Sequence, residues 1–229
     1  MRAARERQTI VDLCRALADR GYLAATGGNL ALRVDAGYFA VTPSATDYYS
    51  MTAADVSLLS LDSLEQIEGE RPPSVESGLH ARMLNMRGDA NCTIHTHQPI
   101  ASALALLGNE LSVTDPQLRR LLGASIPIAG YAPSGTNWLV NKVAKTLRPD
   151  SNAYLMLNHG VLCCGRDAQT AAQTVAALEA LAAQQLQQRI LSRAQEDLTH
   201  RRLLRRMAHA LTASCVAPGT GPQREDLRC

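Results

Sequence analysis

Aromatic side chains are scarce in this chain, about 3% of its 229 residues, with one Trp and one Phe. A core without large rings has to be filled by Ala, Leu, Val and Ile. Apolar residues reach 46%, the balance of a globular protein and not of a disordered one. An excess charge is lacking too. A net charge of +2 is too small for a nucleic-acid footprint, and the late basic run HRRLLRRMAHA (His200 to Ala210) reads as a solvated helix face or an oligomer edge. No apolar run approaches the roughly 18 residues of a membrane span. The opening MRAARERQTIVDLCRALADRG is charged and amphipathic, with no apolar signal core. The expectation is a cytoplasmic protein with no membrane and no nucleic-acid partner. The six cysteines form no C-x-x-C pair, so in a reducing compartment they read as small buried hydrophobes or free thiols. Cys163 and Cys164 are adjacent and would point to opposite faces of a strand.

What is present is a mixture of helix and strand patterns within one stretch of chain. Ile10, Val11, Leu13, Cys14 and Leu17 recur at helical spacing over about Ala4 to Arg20, and Gly21 is the stop signal. Leu30, Leu32 and Val34 alternate as in a strand, Asp35-Ala36-Gly37 turns, and Tyr38 to Thr42 returns. DVSLLSLD, NCTIHTH and SIPIAGY are further strands, and AYLMLNHGVLCCG is a pair of strands or one bent strand. Ser74, after two prolines, is placed to cap a helix running to about Met86. Helices also fit Ile100 to Leu107, LRRLLG and TNWLVNKVAKTL, and the longest spans Asp167 to about Arg193. The hairpin turns argue for antiparallel pairs, so the fold class is α/β or α+β in three layers. Residues 1–212 form one domain, and residues 213–229 read as a disordered tail.

His95 and His97, in NCTIHTHQP, lie two apart on a strand and so point the same way, about 7 Å apart at Cα. That spacing lets two imidazoles reach one metal ion, and H-x-H on a strand suits zinc. Isolated, the pair is equally compatible with an exposed polar strand face. His159, in LMLNHGVL, is a polar residue between apolar runs that has to be hydrogen-bonded, ligated or exposed. With H-x-H it makes a third ligand, and three histidines with an open position are the layout of a catalytic site. Glu76, two residues after Ser74, offers a carboxylate in the first turn of a helix, as a base or simply as a complement to the helix dipole. His80 lies four residues on and shares its face, as a packing residue or one that supports the site from behind. The loops ATGGNLALR and TPSA, with Ser74, are small and hydroxyl-rich enough to surround a phosphate or carboxylate.

The ordered set TGGNLALR, TPSATDY, PSVESGLH, HTH, YAPSGT and NHGVLCCG, from Thr26 to Gly165, resembles the class II aldolase/adducin family, the fuculose-phosphate aldolase-like group. The resemblance implies a three-layer α/β/α domain around a largely antiparallel sheet, assembled as a homotetramer with active sites at subunit interfaces. It implies that His95, His97 and His159 hold Zn2+ (Mn2+ or Co2+ would also suit three imidazoles), and that Glu76 is the catalytic acid/base. It implies that Thr26, Gly28, Asn29, Ser44 and Ser74 hold the phosphate of a small-molecule substrate. The implied chemistry is making or breaking a C–C bond beside a carbonyl through a metal-stabilised enediolate, and related outcomes are decarboxylation or a methylthioribulose-phosphate-type dehydration. A non-catalytic adducin-like binding module is the reading from another class. The chain departs from the pattern in carrying Ala45 for a usual Gly and Val75 for a usual second Ser, and in lacking the tyrosines that donate protons in fuculose-phosphate aldolases. Asp115 or Arg119 of a neighbouring subunit are the substitutes the sequence offers.

Overall fold

The computed structural model describes residues 1–23, 25 and 27–216. Its strands are β1 (Asn29–Arg33), β2 (Tyr38–Val41), β3 (Ser57–Ser60), β4 (Gln66–Glu68), β5 (Cys92–Thr96), β6 (Leu111–Ser112), β7 (Ser125–Ile126), β8 (Ile128–Ala129), β9 (Ala153–Met156) and β10 (Gly160–Gly165). Its helices are α1 (Ala4–Asp19), α2 (Ser77–Met86), α3 (Pro99–Ala105), α4 (Pro116–Leu122), α5 (Asn137–Thr146), α6 (Ala168–Glu196) and α7 (Arg201–Val216). Eight strands form one sheet in the order β4-β3-β2-β1-β5-β10-β9-β8. Every pairing in it is antiparallel except β8 with β9. The fold is the expected three-layer α/β/α arrangement around a largely antiparallel sheet.

The alternation of side chains along the central strands builds the layers. On one face Leu30, Ile94, Val161 and Cys163 pack against α1, α3 and α6 through Ile10, Leu104, Val175 and Leu178. On the other, Leu162 and Cys164 pack against α2 and α5 through Leu79, Met83, Leu139 and Val143. The adjacent cysteines thus enter opposite cores, both fully buried, and the described cysteines Cys14, Cys92, Cys163 and Cys164 are free thiols. Small side chains make this close layering possible: Ala101, Ala105, Ala171 and Ala182 fill the α3–α6–sheet contact where rings would not fit.

Two local expectations are revised. The helix after the two prolines begins at Ser77, not at a Ser74 cap. Glu76 occupies the N-cap position, and Ser74 accepts the Glu76 N–H at 3.2 Å in the preceding turn. His97 falls just beyond β5, and His159 sits in the β9–β10 turn and not within a strand. The turn is made by Asn158 in the left-handed region (φ 54°), a conformation Asn tolerates through its short polar side chain. The basic late segment is the helix α7, which packs on α6. The expected domain end at 212 falls inside it, and 217–229, the rest of the expected tail, lie outside the described residues. Among the described residues no helix is long and apolar enough to cross a membrane.

Candidate active site

Three neighbouring strands and the helix α2 bring the chemistry together. On β5, Cys92 and Ile94 face the α6 core while Thr93 and His95 face α2. His97 continues the same parity. His95 is fully buried, and its Nδ1–H donates to the Val161 carbonyl of β10 at 2.8 Å. That bond fixes the ring and leaves Nε2 facing His97 Nε2, 2.9 Å away. His159 closes the group from the β9–β10 turn, its ring centroid 4.8 Å from that of His95 and 5.5 Å from that of His97. One nitrogen from each of the three rings lies within 4.8 Å of the others.

Gly160 explains why the third histidine is followed by glycine. A Cβ there would stand 2.5 Å from the Thr96 carbonyl, 2.7 Å from His97 Cδ2 and 3.2 Å from His95 Cε1. No side chain fits between the turn and the two rings. Gly28 has a comparable reason: at φ 90° a Cβ would meet Leu23 Cδ2 at 2.4 Å and the His95 carbonyl at 2.8 Å.

Glu76 projects into this cluster. Its Oε1 lies 3.2 Å from His159 Nε2 and its Oε2 lies 3.4 Å from His95 Nε2. Ser134 donates to Oε1 at 2.8 Å, and the Asn29 amide donates to Oε2 at 2.8 Å. Burial alone would raise the carboxyl pKa. Hydrogen bonds from His159 and Asn29 and the field of His95 outweigh it and hold the group below the usual carboxylate range. Burial pushes His95 down to about 4, and it lowers His97 as well. At neutral pH an ionised carboxylate therefore faces the neutral imidazoles of His95 and His97, the form of the ring that offers a nitrogen lone pair to a metal.

The expected loop residues fare differently. Both ends of the Asn29 amide are engaged, by Glu76 and by His80. Ser74 is buried and tied into the turn before α2. Ser44 is half-buried on the loop that follows β2, with its N–H bonded to the Pro72 carbonyl at 2.9 Å. Gly28 offers its backbone beside His95, and its carbonyl accepts from the Tyr48 hydroxyl at 2.6 Å. Thr26 lies outside the described residues. Ser134, within YAPSGT, had no assigned role in the sequence, although a hydroxyl between proline and glycine just before a helix was the available signal. Asp115 caps α4, its Oδ1 accepting from the Gln117 and Leu118 N–H groups.

Comparison with known proteins gives the family of the chain. The Class II Aldolase and Adducin N-terminal domain matches residues 8–186. A 5-deoxy-D-ribulose 1-phosphate aldolase of Bacillus thuringiensis serovar kurstaki is 35% identical over 159 residues, covering 69% of this chain and 73% of the aldolase. A methylthioribulose-1-phosphate dehydratase of Cronobacter sakazakii is 28% identical over 198 residues, covering 82% of this chain and 97% of the dehydratase. Among solved structures, an L-fuculose 1-phosphate aldolase superposes with a TM-score of 0.75 at 26% identity, covering 93% of this chain and 98% of that one. The chain belongs to the class II aldolase and adducin N-terminal domain family.

Proposed function

We propose that this chain is a zinc-dependent class II aldolase-type lyase that breaks or forms a C–C bond beside the carbonyl of a small sugar-phosphate-like compound. The observation that carries the reading is the convergence of three imidazole nitrogens within 4.8 Å on a carboxylate that touches two of them. The donor chemistry fits a divalent cation: three imidazoles, with His97 exposed at one side of the cluster. Manganese or cobalt would suit the same three imidazoles. When bound, such an ion supplies Lewis-acid stabilisation of the negative charge that develops at the substrate's oxygens.

The protein's own part is proton transfer and alignment. In the cleavage direction Glu76 takes the proton of the hydroxyl on the carbon β to the carbonyl. The Cα–Cβ bond breaks, the aldehyde half departs, and Glu76 returns the proton to the α carbon. Ser134 and Asn29 hold the two carboxylate oxygens through this cycle. Gly28, Ser44, Ser74 and Thr26 are the groups we propose for the substrate phosphate. The reading includes a cytoplasmic homotetramer in which a neighbouring subunit covers the open side of the site.

A second outcome on the same site, dehydration, is favoured by one observation: the dehydratase relative is matched over 97% of its own length. Elemental analysis of the wild-type protein beside His95→Ala and His159→Ala tests the metal. About one zinc per chain, lost in both variants, is the expected result. Incubation with 5-deoxy-D-ribulose 1-phosphate and methylthioribulose 1-phosphate then separates the outcomes by aldehyde release or by loss of water at constant carbon count. An absence of stoichiometric metal after supplementation with zinc, manganese and cobalt would overturn the lyase and leave a binding module.

A further inference from the structure

Behind Glu76 runs a chain of buried polar groups of which the proton-transfer scheme uses only the first, Asn29. His80 is fully buried on α2, one helical turn after Glu76. Its Nδ1 lies 2.6 Å from Thr93 Oγ1 on β5, and its Nε2 lies 2.6 Å from Asn29 Oδ1 on β1. The other end of the same amide, Asn29 Nδ2, is 2.8 Å from Glu76 Oε2.

The proton positions in this chain follow from what each group can do. An ionised carboxylate only accepts, so the Asn29 end that faces it has to be the NH2. Oδ1 then faces His80, and His80 has to donate to it through Nε2–H. A neutral imidazole with its proton on Nε2 accepts at Nδ1, and the Thr93 hydroxyl supplies that hydrogen bond. Burial, with the field of His95, pushes His80 down to about 3, so the ring is neutral at pH 7. The alternative tautomer would set Nε2 and Oδ1 as two acceptors face to face. It would be relieved only by turning the Asn29 carbonyl toward the carboxylate. In a buried, low-dielectric setting a mismatched polar contact of this kind is strongly disfavoured.

We propose that His80 is a positioning residue for Glu76: Thr93–OH, the His80 ring and the Asn29 amide form a one-directional relay of hydrogen bonds that fixes the carboxylate against the histidine cluster. Asn29 is then committed to Glu76 and not to the substrate phosphate, and phosphate recognition falls to the backbone and hydroxyls of the other loop residues. The inference rests on the lyase reading for its catalytic consequence, but the relay itself can be measured without any substrate.

The experiment pairs histidine and amide NMR with kinetics. In the wild-type protein, long-range 1H–15N correlation at pH 7 is expected to show His80 as the Nε2–H tautomer and His95 as the Nδ1–H tautomer. The Asn29 NH2 signal is expected to be displaced downfield by its carboxylate partner. His80→Gln, whose amide nitrogen can stand in for Nε2–H, keeps that displacement. His80→Leu loses it while metal content stays at the wild-type level. On whichever sugar 1-phosphate the wild type turns over, kcat of His80→Leu falls roughly 10–100-fold with KM within about a factor of two, and His80→Gln recovers most of the loss. An Nδ1–H tautomer at His80, an Asn29 signal unmoved in His80→Leu, or an unchanged kcat would overturn the proposal. If His80→Leu does not fold, the wild-type tautomer and the Asn29 signal in Thr93→Val decide the matter. A relay seen by NMR in a protein that turns over neither sugar phosphate overturns the lyase reading and His80's catalytic role, and leaves the relay as a purely structural feature.

Discussion

The wall of histidines and the small hydroxyl-rich loops are built on different principles. The histidine wall is pinned by backbone. His95 is fixed by the Val161 carbonyl, His159 is carried by a hairpin turn, and Gly160 lets the turn close onto both other rings. The Ser44 and Ser74 loops are tied to each other by backbone, Ser44 N–H to the Pro72 carbonyl and Ser74 N–H to the Thr42 carbonyl, while their side chains and carbonyls have local partners: Ser74 Oγ accepts the Glu76 N–H, and the Ser44 carbonyl accepts from the Thr46 hydroxyl at 3.1 Å. A rigid wall suits a ligand whose distances tolerate little error. Loops whose polar groups already have local partners suit a ligand that is bound by many weak, exchangeable contacts.

That contrast can be broken at several places. The largest effect is expected from His159→Ala: loss of bound metal and a fall in turnover of roughly 10³-fold or more, since Lewis-acid stabilisation is worth several kcal/mol. Metal analysis and steady-state kinetics on the same preparation check it. Glu76→Gln should lower kcat about 10²–10⁴-fold while metal content stays near one per chain, which separates proton transfer from ligation. Gly160→Ala forces a Cβ against the Thr96 carbonyl and the His97 ring. Overpacking of this kind costs about 1–3 kcal/mol, so the melting temperature should drop and metal affinity weaken together, readable by calorimetry and chelator competition.

Acid offers a fourth test. His80 and His95 have folded pKa values of about 3 and about 4, against 6.5 for the free group. The unfolded chain therefore binds more protons than the folded one between those limits, and stability rises with pH across the window. The metal-free protein is expected to lose stability as pH falls below about 6.5, with the loss complete only when pH passes the folded values. Urea titrations at stepped pH values would show it, and a flat profile between pH 6.5 and 4 would contradict the neutral, buried state of both rings. The smallest effect belongs to Ser44→Ala: a rise in KM of a few-fold, about 0.5–1.5 kcal/mol for one hydrogen bond, with metal content and kcat unchanged. If Ser44→Ala matched Glu76→Gln in severity, the contrast between wall and loops would fail.

The wall was legible in the sequence and the loops much less so. H-x-H on a strand and a histidine followed by glycine name residue types whose chemistry is specific, and strand parity alone puts His95 and His97 on one side. Cys163 and Cys164 could be assigned to opposite faces for the same reason. What the sequence hid were the placements that depend on tertiary contact. Asn29 looked like a loop group for an anion, because its commitment to Glu76 and His80 requires β1 and α2 to meet. Ser134 carries a local signal, a hydroxyl between proline and glycine just before a helix, but nothing local ties it to Glu76. The helix after Pro72 and Pro73 was read as starting at Ser74, but an intervening turn, closed by Ser77 N–H on the Ser74 carbonyl at 3.0 Å, delays it and makes Glu76 itself the N-cap. Strands of two or three residues such as β4 and β6 are set by pairing and not by pattern, and periodicity has no window in which to detect them.

The order of the proposed ligands along the chain has a consequence during synthesis. Asn29, Glu76 and the His95–His97 pair leave the ribosome well before His159, yet β10, the strand beside β5 that supplies the Val161 carbonyl to His95, follows His159. A nascent chain that ends before this hairpin carries two of the three imidazoles with neither the third nor the strand that orients the first. On the proposed ligand set, tight ion capture would await one of the last segments of the sheet to be made, and an arrested or truncated product would not compete with finished protein for scarce metal.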